Sequence, residues 1–247
     1  MNIKNNTILI TGGSSGIGRS VAIKLHELGN QVIVCARSKD KLSELQKTYP
    51  GMIVYTCDLS KKTEISKLIK LIVKNHPTLN ILINNAGILS PVSITDKDFL
   101  ENTNLEFNVN FYAPITLINQ LFHILKKQKQ SAIINIGSLV SYAPLKSKPG
   151  YCASKAALHS FTKSLRFLLK NTNIQVFEVF PPAVQTNMAK HLGESAKFRI
   201  LSPEYVSDII ILGIKANKYE IRIGITKLFY ILYRFFPRII DLKLSRS

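Results

Sequence analysis

Residues 7–37 read TILITGGSSGIGRSVAIKLHELGNQVIVCAR. A short apolar run, TILIT, leads into a glycine-rich turn, residues 17–28 carry apolar side chains at helical period, and a second apolar run, QVIVCA, follows. Strand, turn, helix and strand in that order make a parallel βαβ unit, because parallel neighbours need a crossover between them. The same alternation continues along the chain. Helical segments at 39–48, 64–75, around 111–127 and about 150–170 separate the runs MIVYTC, LNILIN, SAIINIGS and NIQVFEVF, and a last helix and strand fall within 203–223. Seven strand candidates separated by helices predict an α/β fold with a doubly wound, mostly parallel seven-stranded sheet and helices on both faces. One domain over residues 1–224 accounts for them, followed by a basic, apolar tail at 225–247.

A chain of 247 residues with 46% hydrophobic and 19% charged residues can bury a substantial core and matches a globular composition. The three cysteines, Cys35, Cys57 and Cys152, have no paired metal spacing, so no metal site is expected. With no secretory signal, a reduced cytoplasmic compartment fits, and Cys35 and Cys57, in apolar strand runs, read as small core hydrophobes. The net charge of +18 attracts anions. Its lysines are scattered over nearly every helical segment, and no zinc, helix-turn-helix or RNP signature accompanies them, so no nucleic-acid partner is expected.

In a doubly wound sheet ligands bind beyond the carboxyl ends of the strands, so the residues that follow each strand carry the function. After the first comes Thr11-Gly12-Gly13-Ser14-Ser15-Gly16-Ile17-Gly18. From Gly13 the letters approach the phosphate loop of a triphosphatase; from Thr11 they form T-G-x-x-x-G-x-G, a dinucleotide turn. Both place a helix N-terminus against an anion. The triphosphatase reading needs a lysine point charge where Arg19 stands, and arginine is a poor substitute. The dinucleotide reading needs a group after the second strand to meet the adenosine ribose: a carboxylate for NAD, an arginine for the 2′-phosphate of NADP. That strand ends Cys35-Ala36-Arg37, which favours NADP(H) with NAD(H) as the alternative, unless Arg37 is a solvated loop cation.

Further along, Tyr151 and Lys155 stand four apart in a helical segment, which places them on one face. An ammonium beside a phenol stabilises the phenolate, so the Tyr151 pKa is expected to fall from its reference of about 10 and make the residue a general acid or base. Ser138, at the end of a strand, can offer its hydroxyl to a substrate oxygen. Asn110 can hold a water or orient the lysine. Asn108 and Ser141 are the nearby alternatives to Asn110 and Ser138.

With TGGSSGIG, the CDL at 57–59, NNAG from Asn84, the N-V-N ending at Asn110, the serine after IINIG and YCASK, the chain resembles the short-chain dehydrogenase/reductase family from Asn6 to about Ile223. Within it, YCASKAALHSF, EVFPPAVQT and SPEYV resemble the bacterial oxidoreductases associated with D-alanylation operons of cell-wall polymers. The resemblance implies a single Rossmann-fold domain and a catalytic tetrad of Asn110, Ser138, Tyr151 and Lys155, with Lys155 also on the nicotinamide ribose. It implies that Gly12, Ser14, Ser15, Gly16 and Ile17 line the pyrophosphate and adenosine side, that Asp58 and Leu59 meet the adenine, and that Asn85, Ala86 and Gly87 meet the nearby ribose. The reaction implied is interconversion of a carbonyl and a secondary alcohol. The family usually has Pro-Gly after its sixth strand, where this chain has Pro181-Pro182; proline removes an N–H donor there, and Thr186 is expected to still reach the carboxamide or pyrophosphate.

Substrate choice is expected to rest on residues 89–98, 142–148 and 187–201, with His191 reading as a polar surface residue. The tail, ITKLFYILYRFFPRIIDLKLSRS, is too short and interrupted to span a bilayer. It reads equally as a cover for the substrate cleft or a subunit interface and as a segment lying on an anionic membrane surface at the inner face. Either suits a hydrophobic carbonyl or alcohol substrate. The family resemblance favours a homodimer or homotetramer built on the helices around Phe111 and Tyr151. Two other classes stand beside the enzyme: a cofactor-binding regulator with little turnover, which places no demand on Tyr151 or Lys155, and a charge-driven membrane or nucleic-acid binder.

Overall fold

The β-branched and aliphatic runs form the centre of the molecule, where strands buried on both faces need apolar side chains on both sides. The computed structural model describes residues 1–191 and 200–245. The chain order is β1 (Thr7–Thr11), α1 (Gly16–Glu27), β2 (Gln31–Ala36), α2 (Lys39–Thr48), β3 (Ile53–Thr56), α3 (Lys62–Asn75), β4 (Leu79–Asn84), α4 (Phe99–Phe107), α5 (Ala113–Lys127), β5 (Ser131–Ile136), α6 (Pro149–Leu168), β6 (Ile174–Phe180), α7 (Pro203–Lys215), β7 (Glu220–Arg222), α8 (Ile225–Phe235) and α9 (Pro237–Ser245). The seven strands form one sheet in the order β3-β2-β1-β4-β5-β6-β7, every pair parallel.

Alternation along each strand sends neighbours to opposite faces. Ile8 and Ile10 join the core under α1 and α7, with Val21, Leu25 and Ile210. Leu9 and Ile33 join the other core, under α3 and α5, with Ile65, Ile72, Leu117 and Leu121. Cys35 and Cys57 are buried in this second core. Burial pushes both thiols up, Cys57 to about 12, so neither has thiolate character.

Two differences from the sequence reading matter for the site. The helix expected around 111–127 begins at Phe99: α4 runs into a π-helical turn, Asn108–Tyr112, and then into α5. The tail forms two helices. Its root is fixed by Thr226, whose buried Oγ1 donates to Phe180 O (3.0 Å) and Ile223 O (2.7 Å), and by Tyr142 Oη, which donates to Thr226 O (3.1 Å). Among the described residues no helix is long and apolar enough to cross a membrane.

Candidate active site

Strand order reverses between β1 and β4, so the segments leaving their carboxyl ends diverge and open a crevice. The first wall is the glycine turn. Gly12 (φ +65°) and Gly16 (φ +54°) have the left-handed backbone that favours glycine. Gly18 is required by close approach: a Cβ there would lie 2.3 Å from Asn85 Nδ2 and 2.6 Å from Gly12 O. Asn85 Nδ2 donates to Thr11 O (2.9 Å) and Gly12 O (3.2 Å), while Thr11 Oγ1 accepts from the N–H groups of Asn85 (2.9 Å) and Ala86 (3.0 Å). The turn after β1 and the segment after β4 therefore hold each other. Ser15 caps α1 without a side-chain bond, and the first turn of α1 carries no acid, which leaves its amides and positive dipole end to an incoming anion.

A cavity of about 700 Å³ runs from this wall across the carboxyl edge of the sheet. Every residue read from the sequence as catalytic or cofactor-binding lines it, except Asn110. At one end stand Arg37, Ser38, Lys41 and Asp58. Asp58 is the only acid lining the cavity among the described residues, and its Oδ1 accepts from Ser60 N (3.0 Å) and Ser60 Oγ (2.8 Å). Burial opposes its charge, but the bonds from Ser60 and the nearby Arg37 and Lys61 hold the carboxyl below its ordinary range. The opposite end sets apolar Val140, Leu145, Met188 and Phe229 beside Lys146, Ser147 and Lys148.

Ser138, Tyr151 and Lys155 meet the cavity between these ends. Ser138 leaves the end of β5 and starts a short 3-10 turn, Leu139–Ser141; Tyr151 and Lys155 lie on the first turns of α6. Ser138 and Tyr151 face the same stretch of cavity, and Ser138 acts to lower the Tyr151 pKa. Ser141 is buried and does not line the cavity, whereas Ser138 does. Lys155 is buried, and its Nζ donates to Ile136 O (2.8 Å). The expected fall of the Tyr151 pKa is not what the structure gives. Burial pushes the phenol up to about 12 against the effect of Ser138, and burial draws the Lys155 amine down to about 8 against the charge of Glu178. The spacing fixed a shared face, whereas the sign was set by desolvation of both groups.

Asn110 stands behind the cavity, fully buried in the π-helical turn. Its Oδ1 accepts from Ile88 N (2.8 Å), and its Nδ2 donates to Ile88 O (3.0 Å) and Ser154 Oγ (3.0 Å). It thus ties the segment after Gly87 to α6. A Cβ added to Gly87 would meet Asn110 Oδ1 at 3.3 Å and Lys155 Nζ at 3.5 Å, so the two side chains converge behind that glycine.

Some residues escaped the sequence reading. Glu106 is buried and accepts from Ser90 N (2.7 Å), and burial raises its carboxyl despite Lys148. Glu178 is fully buried, and its Oε2 meets His159 Nδ1 at 2.9 Å. Asn84, Asn135 and Thr162 form a buried ladder from β4 to α6, with bonds of 2.8 and 2.9 Å. Lys41 and Phe229 line the cavity from α2 and α8. Asn84 opens the NNAG motif, but nothing in the sequence marked the ladder or singled out the others. Of the stretches expected to choose substrate, residues 89, 143, 145–148, 187–189 contribute to the wall, while the side chain of His191 and residues 192–199 lie outside the described residues.

The family described as short chain dehydrogenase matches residues 6–197. This chain belongs to that family. A Bacillus subtilis short-chain dehydrogenase relative, the uncharacterized oxidoreductase DltE, is 38% identical over 226 residues, covering 90% of this chain and 89% of that protein. A 3-oxoacyl-[acyl-carrier-protein] reductase, FabG, of Rickettsia prowazekii is 33% identical over 205 residues, covering 81% and 82%. Among solved short-chain dehydrogenases, one from Burkholderia cenocepacia in complex with NADP superposes with a TM-score of 0.86 at 21% identity over 99% of both chains. One from Burkholderia phymatum in complex with NAD gives 0.83 at 20% identity over 98% and 96%. These two show that the fold is shared over nearly the whole chain.

Proposed function

We propose that this short-chain dehydrogenase is an NADP(H)-dependent oxidoreductase that interconverts a carbonyl and a secondary alcohol. The observation that carries the reading is one cavity lined by the glycine turn at one wall and by Ser138, Tyr151 and Lys155 at the other. The cavity fits a dinucleotide along its length: the α1 amides for the pyrophosphate, Asp58 and Leu59 for the adenine, Asn85, Ala86 and Gly87 for the adjoining ribose, and Pro181 and Thr186 near the carboxamide. Arg37 and Lys41 after β2 favour a 2′-phosphate over a free 2′-hydroxyl, since no carboxylate stands at the end of β2 and Asp58 is engaged by Ser60. A bound nicotinamide dinucleotide supplies or takes up the hydride. In reduction, Tyr151 gives its phenolic proton to the carbonyl oxygen while Ser138 donates a hydrogen bond to that oxygen. A phenol with a pKa near 12 is protonated at neutral pH, the form reduction needs. Lys155 holds the cofactor ribose, and Asn110 positions it by tying the segment after Gly87 to α6.

The substrate is a hydrophobic small-molecule carbonyl or alcohol, in keeping with Val140, Leu145, Met188 and Phe229 at the far end of the cavity. The protein acts in the cytoplasm, at the inner face of the membrane, through contact of its tail with anionic lipid. We place a homodimer or homotetramer interface on the helices around Phe111 and Tyr151, which are α5 with its π-helical lead-in and α6, and which expose Tyr112, Phe167 and Leu168. Tyr151→Phe tests the assignment. NADPH consumption with a panel of ketones and aldehydes is expected to fall by at least about a hundredfold, with NADPH binding unchanged. Equal turnover in the two proteins would remove Tyr151 from the reaction.

A further inference from the structure

The helices α8 and α9 have two faces. The inner one belongs to the cavity: Ile225, Phe229 and Leu244 line it, and the Tyr230 ring packs on Tyr142 (5.3 Å between centroids) and under the Arg222 guanidinium (3.6 Å). The outer one is apolar and faces solvent. Leu228, Ile231 and Phe235 follow one another at helical spacing along α8, and Phe236 and Ile239 continue the strip across the bend into α9. Phe235 is 68% exposed and Ile239 63%, values a monomer's surface rarely combines in one patch. Exposed Lys227, Arg234 and Arg238 flank the strip, and from 225 to 245 the sequence has a single acid, Asp241.

We propose that this outer face docks on an anionic bilayer surface, apolar strip among the acyl chains and cations at the headgroups, so that the substrate end of the cavity lies against the lipid. The proposal rests on the oxidoreductase reading for what the cavity holds, and it deepens that reading: the substrate is an apolar carbonyl or alcohol compound that partitions into the bilayer and enters beside α8. Charge decides between lipid and a second copy of the chain. A two-fold interface on this strip would set Lys227, Arg234 and Arg238 against their own equivalents with one aspartate per chain to offset them, whereas anionic headgroups neutralise all three. The two-faced arrangement also explains why α8 keeps aromatic residues on both sides. The inner ones close the cavity, and the outer ones have no contact within the cavity wall.

The test is flotation of the full-length protein with vesicles of phosphatidylglycerol and phosphatidylcholine mixed, and with phosphatidylcholine alone. The wild type is expected to float with the anionic vesicles, weakly with the neutral ones, and less as salt is added. Ile231→Ser/Phe235→Ser should abolish flotation, and Arg234→Glu/Arg238→Glu should lower the partition coefficient about fivefold for each cation lost. All these positions are exposed, so NADPH titration of each variant should match the wild type and report that the fold is intact. A wild type that stays unfloated with anionic vesicles, or variants that float as well as it does, would overturn the proposal. So would a drop in solution mass of the Ile231→Ser/Phe235→Ser variant by light scattering, which assigns the strip to a second copy. A wild type that floats but binds no nicotinamide nucleotide keeps the membrane surface and removes the oxidoreductase reading instead.

Discussion

Lys155→Met is expected to make the protein more stable and catalytically dead, because the same burial that serves the site is unfavourable to the fold. Nζ is buried and reaches one carbonyl, Ile136 O, at 2.8 Å. Its pKa falls from 10.5 to about 8, with burial as the cause and Glu178 opposing it. That difference corresponds to about 3 kcal/mol against the folded state wherever the amine is charged in both states. Methionine removes this penalty and fills the space, but leaves Ile136 O without its partner at about 1–2 kcal/mol. The net gain is about 1–2 kcal/mol at neutral pH, or roughly 2–8 °C in Tm for a chain of this size. The sign can be followed with pH. Below about 8 the unfolded and folded chains both carry the charge, so the wild type bears the whole penalty. Between about 8 and 10.5 the folded chain releases a proton that the unfolded chain keeps, so wild-type stability rises relative to the variant. The advantage of Lys155→Met therefore holds from pH 6 to 8, shrinks by about 1.4 kcal/mol per pH unit above that, is gone near pH 9, and reverses by about 10.5, where the whole penalty has been relieved and only the lost bond to Ile136 O remains. Urea unfolding of both proteins across this range measures it. A variant less stable than the wild type at pH 7, or a difference independent of pH, would refute the desolvation argument.

Gly18→Ala should lower stability by about 1–3 kcal/mol, because its Cβ has to displace Asn85 from the Gly12 carbonyl; a thermal melt within a degree of wild type would show that the turn and the segment after β4 are not clasped. Phe229→Ala opens the far end of the cavity from α8 and should raise KM for long-chain carbonyl substrates several-fold while leaving short ones and NADPH affinity unchanged. An equal change for all chain lengths would place Phe229 outside the substrate path.

The sheet was legible because its first six strands are short apolar runs between turn residues, and β1, β2 and β4 match their runs residue for residue, whereas the last, Glu220-Ile221-Arg222, could be placed only within 203–223. The glycine turn was legible because positive φ leaves glycine a signature. What the sequence hid depends on burial and partners. FLENTNLEF, which forms α4, has a weak apolar stripe and an Asp98 that makes no side-chain cap, so nothing marked its start. The π-helical turn that buries Asn110 has no sequence period of its own. Tyr151 and Lys155 were found by spacing, but the direction of their pKa changes follows from how deeply each lies, which spacing does not encode. In α8 one broad apolar arc reaches from the cavity side to the solvent side, so periodicity alone left the two undistinguished until Ile225 and Phe229 were seen on the cavity wall.

The central claim is that the cavity holds NADP(H) with its 2′-phosphate on Arg37. Titration of the wild type and Arg37→Glu with NADPH and NADH, followed by nicotinamide fluorescence, tests it most directly. Selective NADPH binding is expected of the wild type, and in the variant a loss of NADPH affinity by at least about tenfold with NADH retained or improved, the scale of one charged hydrogen-bonded contact. Equal affinity of the wild type for the two nucleotides, or an Arg37→Glu variant that binds NADPH as the wild type does, would contradict it.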